Sequence, residues 1–130
     1  GEMSAHHYFR DFAFCDSGMI PWLLVLELLS NTKQTIRDLI EDRLKKFPSS
    51  GEINFQVKDP DTVIRYIYNK FKGRGEINQL DGLSINFKEW RFNVRKSNTE
   101  PLLRLNIEVK GDTELLNEKT RSLSGLISSI

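Results

Sequence analysis

The stretch Trp90-Arg91-Phe92-Asn93-Val94-Arg95-Lys96-Ser97-Asn98-Thr99-Glu100-Pro101-Leu102-Leu103-Arg104-Leu105-Asn106-Ile107-Glu108-Val109 decides the fold. Phe92 and Val94 alternate with polar neighbours, and so do Leu103, Leu105, Ile107 and Val109, which is the period-two pattern of half-buried strands. Between them lies a corner of Ser, Asn and Pro, so the stretch reads as two strands joined by a tight turn. Alternation puts Arg91, Asn93 and Arg95 on the face opposite Phe92 and Val94, with Arg95 where the strand enters the corner. A core built on the apolar face therefore fixes the corner without filling it.

Outward from this hairpin the same reading continues. Ile53, Phe55 and Val57 alternate as a strand, and Asp59 is placed to cap a helix whose first residue is Pro60. Val63, Ile64, Ile67, Tyr68 and Phe71 follow at helical spacing until Gly73 and Gly75 end the run. Leu83, Ile85 and Phe87 predict a further strand. Beyond the hairpin, Gly111 and Asp112 lead into a last helix whose inward stripe is Leu116, Thr120, Leu123, Ile127 and Ile130. The order strand, helix, three strands, helix predicts an α+β fold: an antiparallel four-stranded sheet with helices packed on one face.

Before Pro48-Ser49-Ser50-Gly51 the pattern differs. Tyr8 to Phe14 is aromatic-rich and predicts a strand, with a turn at Asp16, Ser17 and Gly18. A helix starts near Pro21 and runs to about Leu29, apolar on nearly every side and expected to be buried. A second helix is expected over Thr32 to Phe47, with Ile36, Leu39, Ile40, Leu44 and Phe47 on one stripe. The Pro-Ser-Ser-Gly break divides the chain into 1–48 and 49–130.

The corner has a chemistry of its own. The planar guanidinium of Arg95 can meet two phosphate oxygens with charge-assisted bonds. Ser97 and Thr99 add hydroxyl donors, and Asn98 tolerates the left-handed backbone that aims successive N–H groups at an anion. Pro101 fixes the exit into the next strand. Arg104 reads either as a further ligand or as a solvated cross-strand partner, and Glu100 either orients an arginine or faces water. By residue type alone the corner also fits a solvated hairpin turn.

The run Arg95 to Pro101 resembles the phosphate-binding loop in the last domain of the α-D-phosphohexomutases, and Gly1-Glu2-Met3-Ser4-Ala5-His6 resembles that family's sugar-binding loop. Ala5 stands where many members have glycine. The wider wording around Tyr8 to Phe12 and Trp90 to Asn93 is most similar to bacterial phosphomannomutase members, and the resemblance covers essentially the whole chain. It implies a last domain similar to the TATA-binding-protein fold, preceded by a strand-and-helices tail of an α/β sugar-binding domain. Such enzymes move phosphate between C1 and C6 of a hexose through a bisphosphate that turns around between two transfers at a phosphoserine.

By that resemblance Glu2 and Ser4 contact sugar hydroxyls, His6 lies near the sugar or its phosphate, and Arg95, Ser97, Asn98 and Thr99, with Arg104, grip the phosphate that is not reacting. The expected partners are mannose 1- or 6-phosphate and upstream domains of the same polypeptide, in the cytoplasm. The family's phosphoserine motif and its Asp-Gly-Asp-x-Asp-Arg magnesium loop occur nowhere in the sequence. Mg2+ is thus expected to be held upstream, no catalytic residue is expected here, and the chain is expected to be an inactive piece of a longer enzyme. No metal site is expected within it: His6 and His7 alternate to opposite faces if extended.

Composition bounds the alternatives. Hydrophobic content of 38%, charged content of 28% and a formal charge of +1 describe an ordinary globular chain with no broad attraction to nucleic acid or membrane. The apolar run from Met19 is far shorter than the ~20 residues of a membrane span. Cys15 is the single cysteine, expected as a buried packing residue in a reducing compartment. Two competing functions remain: a phosphoglucomutase or dual-specificity enzyme, since the resemblance implies that Glu2 and Ser4 contact O3 and O4, which do not read C2, and a non-catalytic anion- or RNA-binding module using Arg91, Arg95, Lys70, Lys72 and Arg74.

Overall fold

A computed structural model describes residues 6–97 and 100–130. The chain divides into two compact units, Gly1–Asp42 and Arg43–Ile130.

In the first unit β1 (Tyr8–Phe9) pairs antiparallel with β2 (Cys15–Asp16), so the aromatic segment is a hairpin rather than one strand. One 3-10 turn, Arg10–Phe12, leads into Ala13 and Phe14 at φ 52° and 57°. Two successive side-chain-bearing residues in the left-handed region reverse the chain at a conformational cost, and Phe14 N–H closes the loop onto Phe9 O at 2.9 Å. Helix α1 (Met19–Asn31) starts earlier than Pro21, because the Ser17 hydroxyl accepts from Ile20 N–H at 3.3 Å. Helix α2 (Ile36–Lys46) starts later than Thr32. Its start is fixed by a capping box: Thr35 Oγ1 accepts from Asp38 N–H at 3.2 Å and Asp38 Oδ2 accepts from Thr35 N–H at 2.8 Å.

Many of the large apolar residues of this unit are exposed. Trp22, Leu23, Leu24 and Leu28 of α1 and Ile36 and Ile40 of α2 are all about half exposed, and Cys15 is exposed as well. Both α1 and Cys15 were expected to be buried; among the described residues of the unit the sheet has two strands of two residues each, too small to cover a nearly all-apolar helix.

The second unit is an antiparallel sheet with two helices on one face, and the sheet has five strands rather than four. Its order is β3 (Ile53–Gln56), β7 (Leu102–Val109), β6 (Trp90–Lys96), β5 (Leu83–Asn86), β4 (Glu76–Asn78). The additional edge strand, β4, pairs Ile77 with Ile85 of β5. Its single apolar residue gives no alternation to read, and its pairing comes entirely from the neighbouring strand.

Register lays the apolar side chains in rows. Ile53 and Val94 flank Leu105, Phe55 faces Leu103, Phe92 lies between Ile107 and Ile85, and Leu83 faces Val94. Helix α3 (Pro60–Phe71) adds Val63 and Ile67 to this face, and α4 (Thr113–Ser128) adds Leu116, Leu123 and Ile127. Ile130, beyond the end of α4, is half exposed and not part of the stripe. Asp59 caps α3 by accepting from Asp61 N–H and Thr62 N–H, and Asp112 caps α4 by accepting from Leu115 N–H at 2.9 Å. The Thr62 hydroxyl also donates to Asp59 Oδ2, and this bond, followed by those from the Thr62 and Asp61 N–H groups, holds the Asp59 carboxyl below its ordinary value.

The Pro-Ser-Ser-Gly break is itself hydrogen-bonded into this unit. Val109 N–H donates to Pro48 O at 3.0 Å, Ser50 N–H to Ile107 O at 2.9 Å, and Ile107 N–H to Ser50 Oγ at 3.0 Å. The approach to β3 is therefore stitched along β7, with its backbone fixed before the strand begins.

Candidate functional site

The face of the sheet away from the helices carries the polar half of the alternation: Asn54 on β3, Arg104, Asn106 and Glu108 on β7, Arg91, Asn93 and Arg95 on β6, and Ser84 and Asn86 on β5. Three of these polar residues are buried, namely Asn93, Arg95 and Asn106 at 2%, 8% and 8% exposure. A loop over Gln79 to Gly82 explains part of it. Asn93 Nδ2 donates to Asp81 O at 2.7 Å and to Ser84 Oγ at 2.9 Å, which draws the loop onto β6. Gly82 permits the approach. Its φ is +69°, and a Cβ there would sit 2.5 Å from Val94 O and 2.6 Å from Arg95 Cβ, so any side chain would push the loop off Arg95.

At the end of this face Arg95 and Arg104 stand directly opposite each other across β6 and β7. Like charges in that position repel, and an acid intervenes. Glu52, just before β3, turns Oε2 to Arg95 Nη2 at 3.3 Å and Oε1 to Arg104 Nε at 3.5 Å. Arg104 Nη2 also donates to Ser97 Oγ at 3.3 Å and lies 3.9 Å from Glu100 Oε2. The corner closes on itself through Ser97 N–H to Leu102 O at 2.8 Å and Glu100 N–H to Ser97 Oγ at 3.3 Å. Among the described residues, Arg95 Nε and Arg104 Nε are buried without a hydrogen-bond acceptor.

The structure thus brings together Arg95, Ser97 and Arg104 of the expected phosphate residues; Asn98 and Thr99 lie outside the described residues. Arg104 rather than Arg95 reaches the serine hydroxyl. Lys96 goes elsewhere: on the helix-bearing side its Nζ binds Asp61 of α3 at 2.8 and 3.0 Å. Glu52 and Gly82 were not singled out in the sequence. The first is linked to Arg95 across 43 positions, and the only local sign of the second is an Asp-Gly pair. Two guanidiniums with one hydroxyl between flanking strands can hold an anion that offers several oxygens.

In the first unit Glu2 and Ser4 lie outside the described residues. His6 Nδ1 and Asp16 Oδ2 are 2.5 Å apart, and Asp16 Oδ1 accepts from His7 N–H at 3.0 Å. The His6 hydrogen bond, then the His7 N–H and the His6 charge, hold the Asp16 carboxyl below its ordinary 3.8. One carboxylate from β2 thereby fixes both the ring of His6 and the backbone after it.

Among the described residues no three His, Cys, Asp or Glu side chains gather as metal ligands would. The Mg2+ that the resemblance implies is given no residues here. Nor do the cations form one nucleic-acid surface: Lys70 and Lys72 belong to α3 and its end, Arg91 faces Glu108 at 3.9 Å, and Phe87, Trp90 and Phe92 cluster with Phe71 of α3 rather than on the open sheet face. No helix of the described residues is long and apolar enough to cross a membrane.

The profile of the phosphoglucomutase/phosphomannomutase C-terminal domain matches residues 52–121, and that of the same family's alpha/beta/alpha domain III matches residues 1–47. The chain belongs to the phosphoglucomutase/phosphomannomutase family. Among curated relatives, a protein named "Phosphohexose mutases" from Xanthomonas campestris pv. campestris (strain B100) is 52% identical over 128 residues, covering 98% of this chain and 29% of its own length. Proteins named phosphomannomutase from Salmonella typhimurium (strain LT2) and Escherichia coli (strain K12) are 51% and 50% identical, each over 98% of this chain and 28% of theirs. A crystal structure of a phosphoglucomutase/phosphomannomutase family protein from Burkholderia thailandensis superposes with a TM-score of 0.61 at 26% identity, over 98% of this chain and 28% of that one. The chain spans under a third of the length of these family members.

Proposed function

We propose that this chain is the recognition part of a phosphomannomutase, which interconverts mannose 6-phosphate and mannose 1-phosphate through a bisphosphate. The observation that carries the reading is the pairing of Arg95 with Arg104 beside Ser97 at the β6–β7 corner. That set of donors suits a phosphate dianion: two planar forks, each able to give two parallel N–H bonds, and a hydroxyl that adapts to either role. The names of the Salmonella and Escherichia relatives support the mannose assignment.

In this reading Arg95, Arg104, Ser97, Asn98 and Thr99 hold the phosphate that is not being transferred, Glu2 and Ser4 bind sugar hydroxyls, and His6 stands near the sugar or its phosphate. Asp16 is the positioning residue for His6: by accepting at Nδ1 it fixes the ring and settles the tautomer. Residues 1–48 close an α/β sugar-binding domain and residues 49–130 form the phosphate-binding domain. The phosphoserine and the Mg2+ ligands belong to parts of the enzyme outside this sequence. The compartment is the cytoplasm.

Titration of the chain with mannose 1-phosphate tests the reading. Saturable binding that disappears in Arg95→Ala is the expected result. Equal binding by that variant overturns it. Whether the enzyme prefers mannose or glucose is decided by comparing turnover of the two sugar 1-phosphates in the longer protein that contains this chain.

A further inference from the structure

We infer that Glu52 is a built-in competitor at the anion site, a carboxylate that stands in for phosphate when the grip is empty. The inference rests on reading Arg95 and Arg104 as phosphate ligands.

Geometry carries it. The two oxygens of Glu52 face different guanidiniums, Oε2 toward Arg95 Nη2 at 3.3 Å and Oε1 toward Arg104 Nε at 3.5 Å. One oxygen for each arginine is the bridge that a phosphate would make between the same two forks. A phosphate has a third terminal oxygen to offer, and Arg95 has an unused donor for it, since its Nε has no hydrogen-bond acceptor among the described residues and Glu52 meets its Nη2 instead. The carboxylate contacts are also longer than the roughly 2.7–2.9 Å of a strong charge-assisted bond. Glu52 therefore satisfies the arginines only in part.

Position makes the exchange feasible. The backbone before β3 is pinned to β7 by the Ser50 hydrogen bonds, so only the side chain of Glu52 needs to move. That side chain is 37% exposed, whereas the side chain of Arg95 is 10% exposed and held under the Gly82 loop. The acid can swing toward water while the guanidinium stays in place. Among the described residues no other acid pairs with Arg95.

An empty grip of two facing arginines without Glu52 would repel itself and bind any dianion tightly. With Glu52 present, the arriving phosphate must displace or share the carboxylate, and the departing one is replaced by it. Affinity is lowered and release is assisted, as suits a site that has to let go of one phosphate and take up another.

The test uses the whole chain with Glu52→Gln and, separately, Glu52→Ser. Each is titrated with inorganic phosphate and with mannose 1-phosphate near neutral pH, followed by the amide and arginine Nε–H resonances, with Arg95→Ala alongside. Both Glu52 variants should bind about three- to tenfold more tightly than the unaltered chain, the size expected for removing one partly screened negative charge next to the ligand. Unchanged or weaker binding, together with lost binding in Arg95→Ala, overturns the competitor role and leaves the grip standing. Unchanged binding in Arg95→Ala removes the grip itself. Loss of the folded amide spectrum in both Glu52 variants also overturns the inference, because a displaceable carboxylate is not essential to the fold.

Discussion

Placing a methyl group on Gly82 should dislodge the loop that covers Arg95, and the cost can be worked from two glycines of the same sheet unit. Gly82 and Gly111 have nearly the same backbone, at φ +69° and +67°. Alanine at either one pays for the left-handed region, about 1–2 kcal/mol. They differ in space. A Cβ on Gly111 meets nothing within 4 Å, whereas on Gly82 it lies 2.5 Å from Val94 O, 2.6 Å from Arg95 Cβ and 2.8 Å from Arg95 Cα. The nearest and farthest of these are backbone atoms of a central strand, which cannot yield as a flexible side chain would. Forcing the contact should add about 1–3 kcal/mol, the usual range for overpacking. Urea unfolding followed by Trp90 fluorescence, in a Trp22→Phe background, measures both variants. Gly82→Ala should be less stable than Gly111→Ala by that added amount, and Arg95 should become more accessible to solvent. Equal midpoints for the two would refute the close packing of the loop on β6.

Other outcomes follow from the same contacts. Phe92 is fully buried, with its ring 5.3 Å from that of Phe71, so Phe92→Ala should cost about 3–5 kcal/mol in the same unfolding assay. Arg104→Gln should weaken phosphate binding about tenfold or more, as loss of a charged hydrogen-bond donor does, while Lys96→Gln should leave it unchanged, because Lys96 is engaged with Asp61 on the helix-bearing side. Carboxyl carbon NMR should find Asp16 titrating below 3.8, and His6→Ala should move it back up toward that value. Since the folded-state pKa is depressed, the His6–Asp16 contact contributes stability above the unfolded pKa, and this is lost as pH falls through the folded one.

Much of the sheet unit was legible because its strands obey a period of two. Phe92 and Val94 on β6 and Leu103 to Val109 on β7 all sit where alternation puts them, and Asp59-Pro60 marks the start of α3. The fifth strand was not legible, since Ile77 alone carries no pattern and β4 exists by pairing with β5. The failures in the first unit have another cause. Apolar residues on α1 signal a partner but do not say where that partner is, and Cys15 and Trp22 stay exposed in the unit as described.

At the corner, residue types pointed to an anion but not to the way the side chains share the work. Arg95 and Lys96 are adjacent in sequence and so leave the strand on opposite faces, which sends Lys96 to Asp61 and gives its place to Arg104 on the partner strand. Glu52 was hidden for a similar reason: an ion pair between the approach to β3 and the middle of the sheet is a product of strand order β3-β7-β6, which no local window contains.

The most direct measurement is of the two arginines themselves. With 15N-labelled arginine, the Nε–H resonances of Arg95 and Arg104 should shift together and saturably as mannose 1-phosphate is added, with the Ser97 amide moving at the same ligand concentration. If the ligand binds while these three signals stay still, or if they fail to respond at concentrations that saturate the longer enzyme, the corner between β6 and β7 is not the phosphate grip.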